Sequence, residues 1–186
     1  SNKASDVLKK QEGSYTDLYF NYTINQDLRD RKFRTQDGYQ TFFSQEVPLI
    51  SDNSEFSNAF EFSKFKKLST KSDTIGKVSF FAKTITSLSD DVRISKRLNI
   101  PTNKLRGFEK GRVGPIDNND YVGGNHVTTL NLSATLPNIL EDLDNLDIGV
   151  FFDAANIWGV DYNSSLDDKS TICLLYTSDA ADEWRS

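Results

Sequence analysis

Apolar and polar residues change places at every second position along most of this chain, the pattern of strands buried on one face. In 15–26, YTDLYFNYTINQ, Leu18, Phe20, Tyr22 and Ile24 share one face, and Asp17, Asn21, Thr23 and Asn25 share the other. The alternation continues in 39–49, where Tyr39, Phe43, Val47 and Leu49 oppose Gln40, Ser44 and Glu46. In 56–65, Phe56, Phe60 and Phe62 oppose Ser57, Glu61 and Ser63. In 77–88, Val78, Phe80, Ala82 and Leu88 oppose Lys77, Ser79, Lys83 and Ser87. In 126–136, Leu130, Leu132, Ala134 and Leu136 oppose Thr129, Asn131, Ser133 and Thr135. In 146–158, Leu146, Ile148, Val150, Phe152, Ala154 and Trp158 oppose Asp147, Gly149 and Asp153. These stretches predict six long strands. The connections LRDRKFRTQDG, ISDNSE, STKSDTIG and PNILEDLDN carry turn-forming residues. One connection, from about Ser89 to Gly124, is much longer. No helical period is convincing, although LPNILEDLDNL allows a turn of helix after Pro137.

An all-β, antiparallel protein follows, and the pattern alone leaves two architectures open. A soluble sandwich packs one face and wets the other. A membrane barrel turns its apolar face to lipid and its polar face to a wet lumen. The predicted strands, about ten to thirteen residues, exceed the usual mode of about 5–6. Tyr15, Tyr39 and Trp158 lie near strand ends, where an interfacial aromatic girdle would sit.

Composition narrows the partners. The net charge of −5 offers no basic face for nucleic acid. No apolar run approaches the ~20 residues of a spanning helix, which leaves spanning strands unaffected. The opening SNKASDVLKKQEG is polar and the chain has no Met, so the natural start is expected upstream. The single cysteine, Cys173, excludes an internal disulfide. It opens the run CLLYTSDAADE, which matches, codon by codon, the translation of a transposase-based sequencing adapter. Residues 173–186 are therefore expected to be non-native, unlike the strands before them, and are set aside from functional reasoning.

The long connection holds KLRGFEKGRVGP, followed by VGGNHVTTLNLSATLP and LDIGVFFDAANIWG. These three segments, in this order, resemble BamA-type outer-membrane assembly factors and the related two-partner secretion transporters. Their signature is aliphatic-Arg-Gly-aromatic in a long extracellular loop folded back into a barrel; here it is Leu105, Arg106, Gly107 and Phe108, followed by Glu109. LRDRKFRTQDGYQ resembles one of their hairpins, with Arg34 where proline is common. The resemblance covers about residues 8–172.

What it implies is a partial antiparallel transmembrane β-barrel, about six consecutive strands of a larger barrel in the bacterial outer membrane, preceded by periplasmic POTRA domains. It further implies extracellular positions for the 89–124 loop, ISDNSE and the region after Trp158, and periplasmic turns at 28–38, 68–76 and 137–145. The implied activity is folding and insertion of outer-membrane proteins. Partners would be unfolded client proteins, accessory assembly lipoproteins and outer-membrane lipid, with no cofactor and no enzyme chemistry. Alternatives are a two-partner secretion transporter and a soluble or passive β-protein that binds. Arg106, leaving bulk water at a loop tip, needs a carboxylate. Asp153, on the polar face of its strand, is the expected partner. The resemblance places a second carboxylate at Ser133, which is uncharged here, so Glu109 is a candidate helper. Phe108 is expected to pack against the inner surface, at Phe151.

Other chemistry is thin. His126 is the only histidine and reads as a rim residue, not a metal ligand. The acidic runs DNND and EDLDNLD lack the spacing of a calcium loop and read as solvated turns, as does the basic KFKKLSTK. No nucleophile elbow, phosphate loop or zinc motif appears.

Overall fold

Each alternating stretch forms a strand, and each strand pairs with the next long strand along the chain. The structure, a computed structural model, describes residues 13–69, 73–89, 91–137, 146–169 and 172–182. Its strands are β1 (Asp17–Asp27), β2 (Gly38–Ser51), β3 (Glu55–Lys67), β4 (Ile75–Ser87), β5 (Ile116–Asp117), β6 (Asp120–Tyr121), β7 (His126–Pro137), β8 (Leu146–Trp158) and β9 (Cys173–Asp182). The long strands form one antiparallel sheet in the order β1-β2-β3-β4-β7-β8-β9, and β5 and β6 form a separate small ladder. Antiparallel order follows from the short connections, since parallel neighbours need a crossover of a dozen residues or more.

Register brings like faces together. Ile24 lies opposite Phe43, Phe43 opposite Phe60, and Phe60 opposite Ala82. Farther along, Phe80 meets Leu130, and Leu130 meets Ala154. Leu18, Phe20, Ile24, Phe60, Phe80, Leu130 and Leu132 stay exposed on this outer face. Such a continuous apolar surface suits hydrocarbon far better than water. The inner face is lined by small polar residues, among them Ser57, Ser63, Ser79 and Thr129, all buried. The Ser63 and Ser79 hydroxyls hydrogen-bond across strands at 2.8 Å.

Three local expectations change. The sheet has seven long strands, because Cys173–Asp182 forms β9 along β8, from Ala155 opposite Cys173 to Leu146 opposite Asp182. The uncovered edge of β8 presents a row of backbone donors and acceptors, which an extended segment of matching length satisfies. Second, a register shift beside Leu18 sets Ile50 opposite Leu18 and Pro48 opposite Tyr19, so strict alternation breaks at Leu49, which has no partner on β1. Third, Arg34 has φ 51, which proline with φ near −65° cannot adopt. This turn therefore departs in backbone, not only in residue type, from one built on proline. The helical turn considered after Pro137, and most of EDLDNLD, lie outside the described residues.

Among the described residues β1 and β9 each have a single neighbour, so the sheet they form has two open edges beside an uncovered apolar face. The 186-residue chain is expected to aggregate in detergent-free buffer. Size-exclusion chromatography with light scattering checks this, and a monodisperse folded monomer would overturn the barrel reading.

Candidate functional site

The connection between β4 and β7 does not hang free. It sends Val92, Leu98, Ile100, Leu105 and Val113 into a buried cluster with Ile85, Val127, Ala155 and Ile157 of the sheet. Burial of side chains this size stabilises each by roughly 1.5–3 kcal/mol, enough to hold the loop on the inner face. Leu98 and Gly124 add a two-way backbone bridge, at 2.8 and 3.2 Å. Gly124 has no Cβ because that atom would collide with the Trp158 carbonyl. The glycine pair thus ends the loop close against β8, and β7 starts two residues later at His126.

Leu105 is 2% exposed, and its burial sets the next residue against β8. Arg106 donates from Nε to Asp153 Oδ2 and from Nη2 to Asp153 Oδ1, both at 2.7 Å. Its backbone N–H reaches Oδ2 at 3.2 Å. The Asn131 amide donates to Oδ1 at 2.8 Å and to the Lys104 carbonyl at 2.7 Å. Asp153 has no exposed surface. A carboxylate offers about four acceptor positions, and these four donors occupy them. The guanidinium also lies over the Phe151 ring, 3.3 Å from its centroid. Gly107 takes φ 76, and a Cβ there would come within 2.8 Å of Leu175.

The arrangement brings Arg106, Asp153 and Phe151 together but reassigns their neighbours. Ser133 lies opposite Phe151, not Asp153, and takes no part in the carboxylate's hydrogen bonds. The residue opposite Asp153 is Asn131. It supplies a neutral donor to an oxygen already paired with arginine, where a second carboxylate would instead have competed for the cation. Phe151 packs under Arg106 and not against Phe108, which remains 37% exposed beside Ile100, Leu105 and Val113. Glu109 turns to Arg112 at 3.6 Å and gives Arg106 no help.

Two further cations tie the loop down. Lys104 pairs with Glu61 of β3. Arg97, its side chain fully buried, pairs with Asp161 just beyond β8 and donates to the Gly159 carbonyl at 3.3 Å. Asp161 also accepts the Val92 N–H at 2.9 Å. Burial raises the Asp161 carboxyl, but the Val92 N–H, Asn125 and Arg97 more than offset it and hold it below the ordinary carboxylate value. Alternation gave no signal for Asn131 or Asp161 as partners. The first looks like any small polar wall residue, and the second lies outside the periodic segments.

Residues 1–178 match the Omp85 superfamily domain. The chain belongs to the Omp85 superfamily. Among solved structures, BamA from Haemophilus ducreyi lacking POTRA domains 1–3 aligns with 83% of this chain at a TM-score of 0.71 and 21% identity. That alignment takes in 32% of the BamA chain, so this chain spans about a third of its length, and the likeness is one of fold. No curated protein sequence matches.

In this Omp85 domain, Arg106→Ala should cost about 2 kcal/mol, below the 3–5 kcal/mol of a fully buried pair because the arginine side chain is 43% exposed. Asn131→Ala should cost roughly 1–2 kcal/mol. Urea unfolding of the barrel in lipid vesicles measures both. Because the folded Asp161 carboxyl titrates below its unfolded value, its contribution is complete above about pH 4 and is lost as pH falls through the folded value. The hydrogen-exchange protection factor of the Val92 amide, from which the intrinsic pH dependence of exchange is divided out, should thus be unchanged from pH 7 to 5 and fall only under stronger acid.

Proposed function

We infer that this chain supplies wall strands and the inner loop of an outer-membrane β-barrel that folds and inserts other outer-membrane proteins into the bilayer. The observation that carries the reading is the Arg106–Asp153 fork. A loop that only covered the barrel mouth would not need an arginine fixed to a fully buried carboxylate on β8. Leu105 sinks the tip, Gly107 lets the backbone lie close to the wall, and Arg106 locks its position. Membership of the Omp85 superfamily supports a role in outer-membrane protein assembly or transport. Within that range, Gly123, Gly124 and Asn125 at the start of β7 favour the assembly factor over a transporter exporting one dedicated partner.

The mechanism is physical, without a covalent step or cofactor. An unfolded client would be guided at the barrel, whose seam strands and POTRA domains lie elsewhere in the full-length protein, while the locked loop keeps the wall in one shape. Accessory lipoproteins and outer-membrane lipid complete the proposed surroundings. Residues 173–186 enter this reading as non-native sequence, of which Cys173–Asp182 takes the place of the next wall strand. Sequencing the uninterrupted gene tests that assignment.

Arg106→Ala in the full-length protein should slow insertion of an unfolded barrel client into proteoliposomes about tenfold, the rate equivalent of 1.4 kcal/mol. Its heat-modifiable mobility should weaken as well. Wild-type insertion and wild-type mobility in that variant would remove the pin from the mechanism. Secretion of a single partner with no insertion of barrel clients would favour the transporter.

A further inference from the structure

Arg93, Arg97 and Arg106 all anchor this loop through their guanidinium groups, and the Arg106 fork is the most exposed of the three. Arg93, thirteen residues earlier, has a side chain only 5% exposed. It donates from Nε to Glu55 Oε1 at 2.9 Å and from Nη2 to Glu55 Oε2 at 2.8 Å. The same Nη2 reaches Asp17 Oδ2 at 2.6 Å. Glu55, 1% exposed, also accepts from the Tyr19 hydroxyl at 2.9 Å. Asp17 accepts from the Ser51 hydroxyl at 2.6 Å and has Lys96 at 3.8 Å. The Tyr15 ring covers the guanidinium from 4.5 Å. Two cations and two carboxylates thus balance in one cluster at the end of the sheet where β1 and β3 begin, with Arg93 and Glu55 nearly dry and Lys96 at its wetter rim.

We propose that Arg93 is the positioning residue of the loop: its attachment to β1 and β3 determines where Arg106 lands on β8. This rests on reading the loop as a strut inside the barrel. The two anchors hold opposite sides of the sheet, since β4 and β7 separate β3 from β8. The segment between them is stiff enough to transmit a position. It contains a 3-10 turn at Ile94–Lys96, the Leu98–Gly124 bridge, and buried Leu98, Ile100 and Leu105. Arg97 and Lys104 tie the same segment to Asp161 and Glu61 along the way. Arginine is required because only its planar fork satisfies both Glu55 oxygens while reaching Asp17. A lysine would keep the charge and lose that geometry.

The test is pulsed electron–electron distance measurement on the full-length protein in bilayers, with spin labels at Lys110→Cys and Leu130→Cys as sole cysteines. Heat-modifiable mobility reports separately that the barrel has formed. Arg93→Ala should broaden the distance distribution about two-fold, because charge-assisted forks hold well beyond thermal energy. Arg93→Lys should broaden it less. Lys67→Ala, which removes an ion pair at the opposite end of the sheet, should leave the width unchanged. An unchanged width in Arg93→Ala, or equal broadening in Lys67→Ala, overturns the proposal. If Arg93→Ala yields no folded barrel, Asp17→Asn decides: intermediate broadening supports the proposal, and wild-type width defeats it. Normal client insertion by Arg106→Ala would defeat the assembly reading while leaving the distance test of Arg93 intact.

Discussion

A carboxylate cut off from water must find its counter-charge and donors within the protein. Here two carboxylates on the inner wall, Asp153 with no exposed surface and Glu55 with 1%, both meet that requirement with arginines from the same loop. The attraction in such a setting repays desolvation only when the remaining lone pairs are also filled. Both sites fill them: Asn131 and the Arg106 N–H at one, Tyr19 at the other. The loop could not leave without stranding a buried charge at each end.

Hydrophobic burial and ion pairing act on the same segment and answer different needs. Val92, Leu98, Ile100 and Leu105 drive the loop onto the sheet, but apolar contact is tolerant of sliding. The guanidinium forks are directional and fix where it comes to rest. Glycine enters where a side chain would obstruct that close approach, at Gly124 against the Trp158 carbonyl, and where the backbone takes a positive φ, at Gly107. The outer face needs no such precision. Its exposed Phe and Leu residues face a solvent of hydrocarbon chains that requires only that they be apolar.

Much of this was legible beforehand because a period of two is a local property. Alternation alone put Asp153 on the polar face of its strand and Phe60, Phe80 and Leu130 on the apolar one. The resemblance around Leu105–Phe108 then supplied a reason to pair Arg106 with Asp153. The neighbours were not legible. Asn131 and Ser133 lie on the same face of the same strand, and either could have met the carboxylate. Nothing in LSDDVRIS marks Arg93 as an anchor, because its partners lie 38 and 76 residues away, on β3 and β1. A seventh long strand, β9, was not among the six expected, since an open strand edge accepts an extended segment whatever its origin.

The sequence by itself therefore determined the strands, their two faces and the charge that one loop must bring inward. Each follows from residue type at a fixed spacing. The tertiary structure decided which residues meet: Asn131 and not Ser133 beside Asp153, Phe151 under the Arg106 guanidinium, and Arg93 bridging β3 to β1. Those pairings depend on strand register and on the path of a long loop. Both are set by the sum of many distant contacts, and no local pattern records that sum.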